Sequence, residues 1–453
     1  MNAKVDGDPV KQRQNGGAVN PCTVCAPLGA AVASAGIART VVLLHGAQGC
    51  ATYIRRYLIS HFREPMDIAS SSFGETQTVF GGEDNLARAL DNIERQYAPE
   101  LVTVATTCLA ETIGDDVTLI LKRYASTRKT ALRVVHASTP SYKDGHIEGF
   151  HAMVRAVVAQ LVESNGEKQR SVSLLPPMVS PADLRHLAEL ATAFGLEPTV
   201  LPDYSETLDG VILDEYQRLP EGGTPLEAIR AMGGAMSTVD FTLTGRAPRA
   251  SALLQERGAE VTQLGLPIGV RATDAFLDHL AAVAHAPRPE WLVQERGRLL
   301  DAYADGHKYV FGKRVGVYGD PEFVAGLARF FAEIGMRPVL CATGARNRAL
   351  GPALDELGDA GLEEVLDDTD FAAIEANGRR LELDLLVGSS KGYRMARELG
   401  VPLIRIGFPI HDRFGAGRNL HVGYRGTMRL FDELVNTFIE GTQHGSSVGY
   451  SYL

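Results

Sequence analysis

The sequence lacks a long uninterrupted apolar run among its 453 residues. Its least polar stretch covers residues 26–44, and Arg39 interrupts it before the roughly 20 apolar residues that a membrane helix needs. Lys11 and Arg13 precede this stretch as in a secretory signal, but its apolar part would then contain Pro27 and continue into His45. We therefore expect a cytoplasmic protein without a membrane segment.

Basic clusters and tryptophan are also scarce. Lys and Arg together number 45 against 55 Asp and Glu, the formal net charge is −10, and there is one Trp. Nucleic-acid binding needs a clustered basic face, usually with aromatic side chains that stack on bases. The tightest basic cluster, at 122–129, is typical of a solvated helix end. We expect no nucleic-acid partner.

Cysteines are few, odd in number and far apart: Cys22, Cys25, Cys50, Cys108 and Cys341. A disulfide framework normally needs a short secreted chain with an even count, so reduced thiols are expected. The spacings of a Ser-His-Asp triad or a metalloprotease are missing, and Gly233-Gly234 does not follow a strand in the dinucleotide-binding pattern. Hydrolase and nicotinamide-dependent classes therefore have little support.

Short apolar runs alternate with helical patterns along the chain, which is typical of βαβ units. The length suggests about three domains. We predict an α/β protein with three Rossmann-like, doubly wound parallel-sheet domains. A flexible N-terminal arm at 1–20 precedes a first domain at 21–165, which carries the cysteines. A second domain follows at 166–300, and a third at 301–453 ends in a C-terminal helix.

Three cysteines, Cys25, Cys50 and Cys108, have neighbours rich in Gly, Ala or Thr, at or near predicted strand ends. Small neighbours let a bulky inorganic cluster approach, and thiolates are the usual ligands of iron–sulfur clusters. Three thiols cannot complete a cubane that needs four, so another donor or a partner chain must contribute. The alternative is simple packing, because buried cysteines often act as small apolar residues. Cys22 with Cys25 fits half a zinc site or a redox pair, and Cys341 is interpreted as packing.

Seven longer motifs are spread over nearly the whole chain after residue 20. They are Cys-Ala-Pro-Leu-Gly-Ala at 25–30, His-Gly-Ala-Gln-Gly-Cys at 45–50, His-Phe-Arg-Glu-Pro at 61–65, Phe-Gly-Gly-Glu-Asp-Asn at 80–85, Thr-Thr-Cys-Leu-Ala-Glu-Thr-Ile-Gly-Asp-Asp at 106–116, Tyr-Gly-Asp-Pro at 318–321 and Arg-Ile-Gly-Phe-Pro-Ile at 405–410. In these motifs and in the intervals between its cysteines, the sequence resembles component 1 of nitrogenase and its relatives, specifically the β-type chains.

This resemblance implies an electron-relay subunit with no catalytic residue of its own. In the family, α- and β-type chains form an α2β2 heterotetramer, and each α/β interface holds an [8Fe-7S] P-cluster between three cysteines of each chain. Cys25, Cys50 and Cys108 match the β-chain ligands. Ser141 falls where β chains carry a serine that ligates the oxidised cluster, although an ordinary turn serine is the alternative. Electrons come from an ATP-hydrolysing iron protein and continue to a cofactor in the α chain.

Different motifs of this sequence resemble different members of the family. The segments 81–86, 412–415 and 423–426 resemble the β-type chain of the cofactor-assembly scaffold, whose interface holds a smaller [4Fe-4S] cluster and which often keeps fewer cysteines. Retention of all three favours a working reductase. Ala47 replaces the serine usual in His-Gly-Ser-Gln-Gly-Cys, which disfavours a dinitrogenase. The combination is most similar to the β-type subunit of methylthio-alkane reductase, which cleaves carbon–sulfur bonds to salvage sulfur.

Three other interpretations remain beside that one. The chain is alternatively a scaffold β-type chain, a dinitrogenase β subunit or a cofactor-free α/β protein with packed cysteines. The B-type chain of dark-operative protochlorophyllide reductase is less similar, since it gives its cluster an aspartate. Near the cysteines, His45 is expected to satisfy a backbone carbonyl, and Asp115 with Asp116 is expected to lie at a helix N-terminus.

Overall fold

The computed structural model describes residues 21–128, 132–163, 169–215, 217–245, 249–346 and 349–447. The predicted N-terminal arm at 1–20 lies outside these residues. The first sheet contains β1 (Thr40–His45), β2 (Ile68–Ser70), β3 (Leu101–Thr106) and β4 (Arg133–Ala137), all parallel, in the order β2-β1-β3-β4. The apolar runs that predicted β1, β3 and β4 are buried or half-buried here. The three-residue β2 is too short for its alternation to be recognised in the sequence.

Seven helices accompany this sheet: α1 (Ala26–Ala35), α2 (Gln48–Phe62), α3 (Glu75–Phe80), α4 (Glu83–Tyr97), α5 (Cys108–Ile113), α6 (Val117–Arg128) and α7 (His146–Leu161). The least polar stretch of the sequence is thus α1 followed by β1. Helix α1 is buried almost all round, and it packs closely against α7. A Cβ added at Gly29 would lie 1.7 Å from the His146 carbonyl oxygen, so only glycine permits this approach.

The second sheet contains β5 (Gln169–Leu175), β6 (Glu197–Val200), β7 (Ala235–Asp240) and β8 (Val261–Gln263), again parallel, in the order β6-β5-β7-β8. Its helices are α8 (Pro181–Ala193), α9 (Leu226–Ala231), α10 (Ala250–Glu256) and α11 (Val270–Ala284). Helix α8 begins with a capping pair, since the Ser180 hydroxyl accepts from the Asp183 amide and Pro181 takes the first helical position.

The long helix α12 (Glu290–Val310) leads to the third sheet, which contains β9 (Arg314–Tyr318), β10 (Arg337–Ala342), β11 (Glu364–Leu366), β12 (Leu385–Gly388) and β13 (Leu403–Arg405). These parallel strands have the order β11-β10-β9-β12-β13. The remaining helices are α13 (Pro321–Glu333), α14 (Leu350–Leu354), α15 (Phe371–Arg380), α16 (Tyr393–Leu399) and α17 (Gly423–Gly445). The predicted C-terminal helix is α17, which packs along α12.

The three sheets are all parallel, and in each of them strands are added first on one side and then on the other. This confirms the predicted α/β, doubly wound fold. Each sheet has one point where the strand order switches direction: between β1 and β3, between β5 and β7, and between β9 and β12. Crevices at such points are where open α/β sheets bind ligands. The predicted domain limits stay predictions, since 165 lies outside the described residues and 300 falls within α12. No helix in the described ranges is long and apolar enough to cross a membrane.

Buried polar side chains tie the three units together. The His146 Nε2 atom of the first unit lies 2.9 Å from Asp320 Oδ1 of the third. The buried Asp183 carboxylate of the second unit accepts the His421 amide at 2.6 Å and faces its ring nitrogen at 2.9 Å. These contacts hold its pKa below the usual range despite burial. The carboxylate of Glu322 accepts the Leu243 amide at 2.9 Å.

Candidate functional site

All three candidate cysteines lie where helices begin. Cys25 is the residue before α1, Cys50 is the third residue of α2, and Cys108 is the first residue of α5. The expectation that all three lie at or near strand ends is wrong for Cys25. The segment after it forms a helix. Pro27 suits the first turn of this helix, because amide hydrogens there have no partner within the helix and proline has none to leave unpaired. Free amide hydrogens at helix starts favour negative charge on sulfur.

The first switch point brings Cys50 and Cys108 close together. Strands β1 and β3 are neighbours with His45 paired to Thr106, and the Thr107 amide donates to the His45 carbonyl at 3.0 Å. A Cβ at Gly46 would lie 1.8 Å from the Thr107 hydroxyl oxygen. Glycine at this position is what lets the two loops, each leading to a cysteine, pass so closely.

Ser141, in the loop after β4, connects the other parts of the site. Its backbone amide donates to the Cys108 sulfur at 3.3 Å. Its hydroxyl oxygen accepts the backbone amide of Ala26, the first residue after Cys25, at 3.1 Å. The structure therefore brings together the predicted residues, although 116 positions separate the first from the last. They are Cys25, Cys50, Cys108 and Ser141.

The thiols influence one another electrostatically. Burial raises the pKa of Cys25 to about 11, and repulsion from Cys50 and Cys108 adds to this, while the Leu28 amide lowers it. Burial and Cys108 likewise raise the pKa of Cys50. Three thiolates in this arrangement need a compensating positive charge. A bound metal cation would supply such a charge, and its binding would release the thiol protons.

The site is open on one side. All three cysteines are half-buried, Gln48 and Gly49 beside Cys50 are exposed, and a Cβ at Gly49 would meet no atom within 4 Å. Tyr53 and Tyr142 expose 44% and 51% of their surfaces nearby. Within the described ranges, no three His, Cys, Asp or Glu side chains are arranged to hold a single metal ion. The open side therefore leaves space next to the three thiols.

The other two cysteines are packed away from this site. Cys22 is buried with residues of the third unit such as Tyr318 and Phe371, and burial with the nearby Asp320 raises its pKa to about 12. Cys22 and Cys25 thus face different environments, which does not support a zinc half-site or redox pair. Cys341 is fully buried in the core, and its interpretation as packing is confirmed.

His45 has a different partner from the one expected. Its Nε2 lies 3.1 Å from Asp115 and its Nδ1 lies 3.1 Å from the Ser71 hydroxyl, so side chains and no backbone carbonyl satisfy the ring. Asp116 accepts the Leu119 amide at 2.9 Å near the start of α6, as expected of an acid at a helix N-terminus. The Asp115 carboxylate also accepts the Gly82 amide, and it thereby holds the loop that leads to Cys50.

His146 has a positioning role that was not predicted from the sequence. Its Nδ1 accepts the Val24 amide at 3.4 Å and lies 3.1 Å from the Thr23 hydroxyl, which fixes the segment just before Cys25. Its Nε2 lies 2.9 Å from Asp320 Oδ1. The sequence carried one usable signal, because Asp320 belongs to the Tyr-Gly-Asp-Pro motif, but its partner lies 174 positions earlier.

Comparisons with known proteins extend over almost the whole chain. The family model described as nitrogenase component 1 type oxidoreductase matches residues 25–439. The nitrogenase molybdenum-iron protein beta chain of Clostridium pasteurianum is 36% identical, with 93% of both chains covered. The nitrogenase vanadium-iron protein beta chain of Trichormus variabilis is 32% identical, with 96% of this chain and 97% of that chain covered.

Among solved structures, nitrogenase Cp1 at pH 6.5 superposes with a TM-score of 0.94 at 34% sequence identity. The superposition covers 98% of each chain. A second structure, nitrogenase Cp1 at pH 5, reaches a TM-score of 0.70 at 17% identity and is similar in fold alone. The residues matched by the family model, 25–439, include all three half-buried cysteines.

Proposed function

Because this chain belongs to the nitrogenase component 1 type oxidoreductase family, as a β-type subunit of a nitrogenase-like enzyme, we propose that it holds half of an interface iron–sulfur cluster. The ligands are Cys25, Cys50 and Cys108, and the cluster is an [8Fe-7S] P-cluster completed by an α-type chain in an α2β2 heterotetramer. The observation that carries this proposal is the set of three half-buried thiols at three helix starts, with Ser141 linking the Cys108 sulfur to the residue after Cys25.

When bound, such a cluster takes up and passes on electrons that an ATP-hydrolysing iron protein delivers. This chain's own residues hold the cluster and adjust its environment. The amide hydrogens at the starts of α1, α2 and α5 favour electron-rich sulfur, and the Ser141 amide already donates to the Cys108 sulfur. The Ser141 hydroxyl oxygen, which accepts the Ala26 amide, would be an additional oxygen ligand for an oxidised cluster.

The reaction we propose for the complex is reductive cleavage of a methylthio-alkane. Two electrons and two protons convert the carbon–sulfur bond into an alkane C–H and the S–H of methanethiol, at the cofactor of the α chain. The support is the combination of three retained cysteines with Ala47 and with the scaffold-like segments at 412–415 and 423–426. The substrate is bound outside this chain, so the β-type chain relays electrons.

Two other functions have specific support. The relatives' names, which are those of nitrogenase molybdenum-iron and vanadium-iron beta chains, favour a dinitrogenase β subunit. The scaffold-like segments favour an assembly scaffold with a [4Fe-4S] cluster. The three functions share the cysteine site and differ in cluster size and in the reaction at the partner chain.

The test is anaerobic purification of the chain with its co-expressed α-type partner, followed by an iron count and electron paramagnetic resonance after oxidation. Eight interface irons per αβ pair, with methanethiol released from a methylthio-alkane when iron protein and ATP are present, are expected. Ammonia from dinitrogen would identify a dinitrogenase. Four irons and transfer of a cofactor to another protein would identify a scaffold, and an iron-free complex would refute all three functions.

The role of Ser141 is tested in the same complex with Ser141→Ala. The expected result is an unchanged iron count together with an altered signal of the oxidised cluster, because the oxygen donor is lost while the thiols remain. An identical spectrum in the variant would reduce Ser141 to a structural residue of the loop.

A further inference from the structure

The segment that leads into Cys25 is fixed by the third unit. The Cys22 amide donates to the Thr369 carbonyl at 3.4 Å, and the Cys22 side chain is buried among apolar residues of that unit. A Cβ added at Gly344 would lie 2.5 Å from the Cys22 carbonyl oxygen, so the loop after β10 passes very close to this segment. Segment 21–25 therefore connects the third unit directly to the start of α1.

A lysine of the third unit holds the same segment. Lys391 lies in the short turn after β12, and its side chain is half-buried. Its Nζ donates to the carbonyls of Pro21 and Thr23, each at 3.3 Å. Hydrogen bonds from a charged donor are stronger than those between neutral groups. Lys391 therefore fixes the main chain two residues before Cys25.

An arginine of the third unit holds the loop that carries Ser141. Arg346 follows β10, and its Nη1 donates to the Tyr142 carbonyl, one residue after Ser141, at 2.9 Å. Its Nε lies 3.2 Å from Asp368 Oδ1, and this contact orients the guanidinium. Because Arg346 is exposed, these contacts contribute little to overall stability. Their effect is on the position of the loop at 138–145.

The two supported segments meet beside the thiols. The Ser141 hydroxyl oxygen accepts the Ala26 amide, so the loop and the residue after Cys25 are joined. Cys50 and Cys108, by contrast, are brought together by the pairing of β1 with β3 in the first sheet. Strands β10 and β12 lie on either side of β9, so the two cations flank the third switch point. One half of the site is thus held by the first sheet and the other half by the third unit.

We propose that Lys391 and Arg346 are positioning residues for the interface cluster. Together they set the place of Ser141 and Cys25 relative to the other two thiols, so that the Ser141 oxygen lies where an oxidised cluster can bind it. Neither cation is a ligand, since both donate to main-chain carbonyls. This inference rests on the proposed function, because it concerns the same cluster.

The first test is amide hydrogen exchange in the purified αβ complex, followed by mass spectrometry. Lys391→Met is expected to speed exchange in peptides covering 21–28, and Arg346→Met in peptides covering 138–145. An increase of about fivefold is expected, as for the loss of one hydrogen bond. Unchanged exchange in both segments would overturn the proposal.

Arg257→Met is the matched control for both variants. The Arg257 guanidinium, in the second unit, likewise donates to main-chain carbonyls of the first unit, those of Val158 and Ala159. These carbonyls belong to the far end of α7, away from the cysteines. This variant is expected to keep wild-type exchange in both segments and the wild-type oxidised-state resonance spectrum.

The second test measures the cluster in the same complex. Lys391→Met and Arg346→Met are expected to keep the wild-type iron count, because no thiol is lost. Their oxidised-state resonance spectra are expected to change towards the spectrum of Ser141→Ala, which a purely structural role would not cause. Lys391→Arg keeps the cation and its donors, and it is expected to keep the wild-type spectrum.

The outcomes separate this inference from the proposed function. An iron-loaded complex in which both methionine variants keep the wild-type spectrum would overturn the inference alone, even if exchange is faster. A Ser141→Ala spectrum identical to that of the wild type would also overturn it, because no serine ligation would remain to be positioned. An iron-free wild-type complex would refute the proposed function, and this inference with it.

Discussion

The switch points of the first and third sheets share one architecture and differ in what fills them. At the first, Gly46 and Thr107 lead from β1 and β3 to half-buried thiols beside open space. At the third, the Tyr318 side chain, 2% exposed, occupies the crevice between β9 and β12, and its hydroxyl donates to the Ser389 carbonyl at 2.5 Å. One edge is left open for a ligand, and the other is closed by the protein itself.

Glycine has opposite effects at the two edges. Gly46 lets two backbone segments approach, so that Cys50 and Cys108 come together while space remains beside Gly49. At the third sheet, a Cβ at Gly392 would lie 2.1 Å from the Tyr318 hydroxyl oxygen, so the glycine makes room for a ring that closes the crevice. The fold supplies the edge, and the size of a few side chains decides whether it can hold a ligand.

The largest effect is expected from removing a thiol at the open edge. Cys108→Ala removes one proposed ligand and the acceptor of the Ser141 amide, so the anaerobically purified αβ complex should lose most interface iron and its oxidised-state resonance signal. Cys341→Ala is the matched control in the closed, apolar core. It should keep full iron and cost roughly 1–2 kcal/mol of unfolding free energy through the small cavity it leaves. Equal iron loss in the two variants would contradict the distinction between the two sets of cysteines.

The next effect concerns the packing that positions Cys25. Gly29→Ala places a methyl group 1.7 Å from the His146 carbonyl oxygen, so α1 and α7 must separate. We expect a loss of about 3 kcal/mol in unfolding free energy, measured by urea denaturation, with lower iron occupancy. In the control Gly441→Ala, on α17, the added Cβ meets no atom within 4 Å, and a gain of roughly 0.5–1 kcal/mol is expected. An unchanged Gly29→Ala protein would show that this close contact is not needed.

A pH effect is expected where the first and third units meet. His61 is buried and its Nδ1 accepts the Ile410 amide at 2.9 Å; burial lowers its pKa to about 3 from an unfolded value of 6.5. The unfolded chain therefore takes up the proton first. The contribution of neutral His61 to the free energy of unfolding is fully present above pH 6.5, and it is lost progressively as the pH drops from 6.5 towards 3.

Urea unfolding at pH 7.5 and 5.0 measures this effect. The wild-type chain should lose about 2 kcal/mol over that range from this residue, and His61→Gln should show a correspondingly smaller loss. His444→Gln, an exposed position on α17, should keep the wild-type dependence. The same pH dependence in His61→Gln and wild type would rule out His61 as its source.

Much of the fold and the three candidate cysteines could be predicted from the sequence, for physical reasons. Buried parallel strands are continuous apolar runs, so three sheets and most of their strands could be recognised, and small-residue motifs identified Cys25, Cys50 and Cys108. Contacts between distant side chains could not be predicted. Neither the His146–Asp320 pair nor the Ser141 link to Ala26 leaves a periodic pattern.

The smallest effect is expected at the closed edge. Tyr318→Phe keeps the ring that fills the crevice and removes only the hydroxyl, which leaves the buried Ser389 carbonyl without this donor. We expect a loss of about 1 kcal/mol in unfolding free energy by urea denaturation and an unchanged iron count in the αβ complex. Because the third switch point is filled by the protein, its polar contact contributes to stability alone. Iron loss in Tyr318→Phe comparable to that in Cys108→Ala would mean that the third sheet takes part in holding the cluster, and the contrast between the two edges would fail.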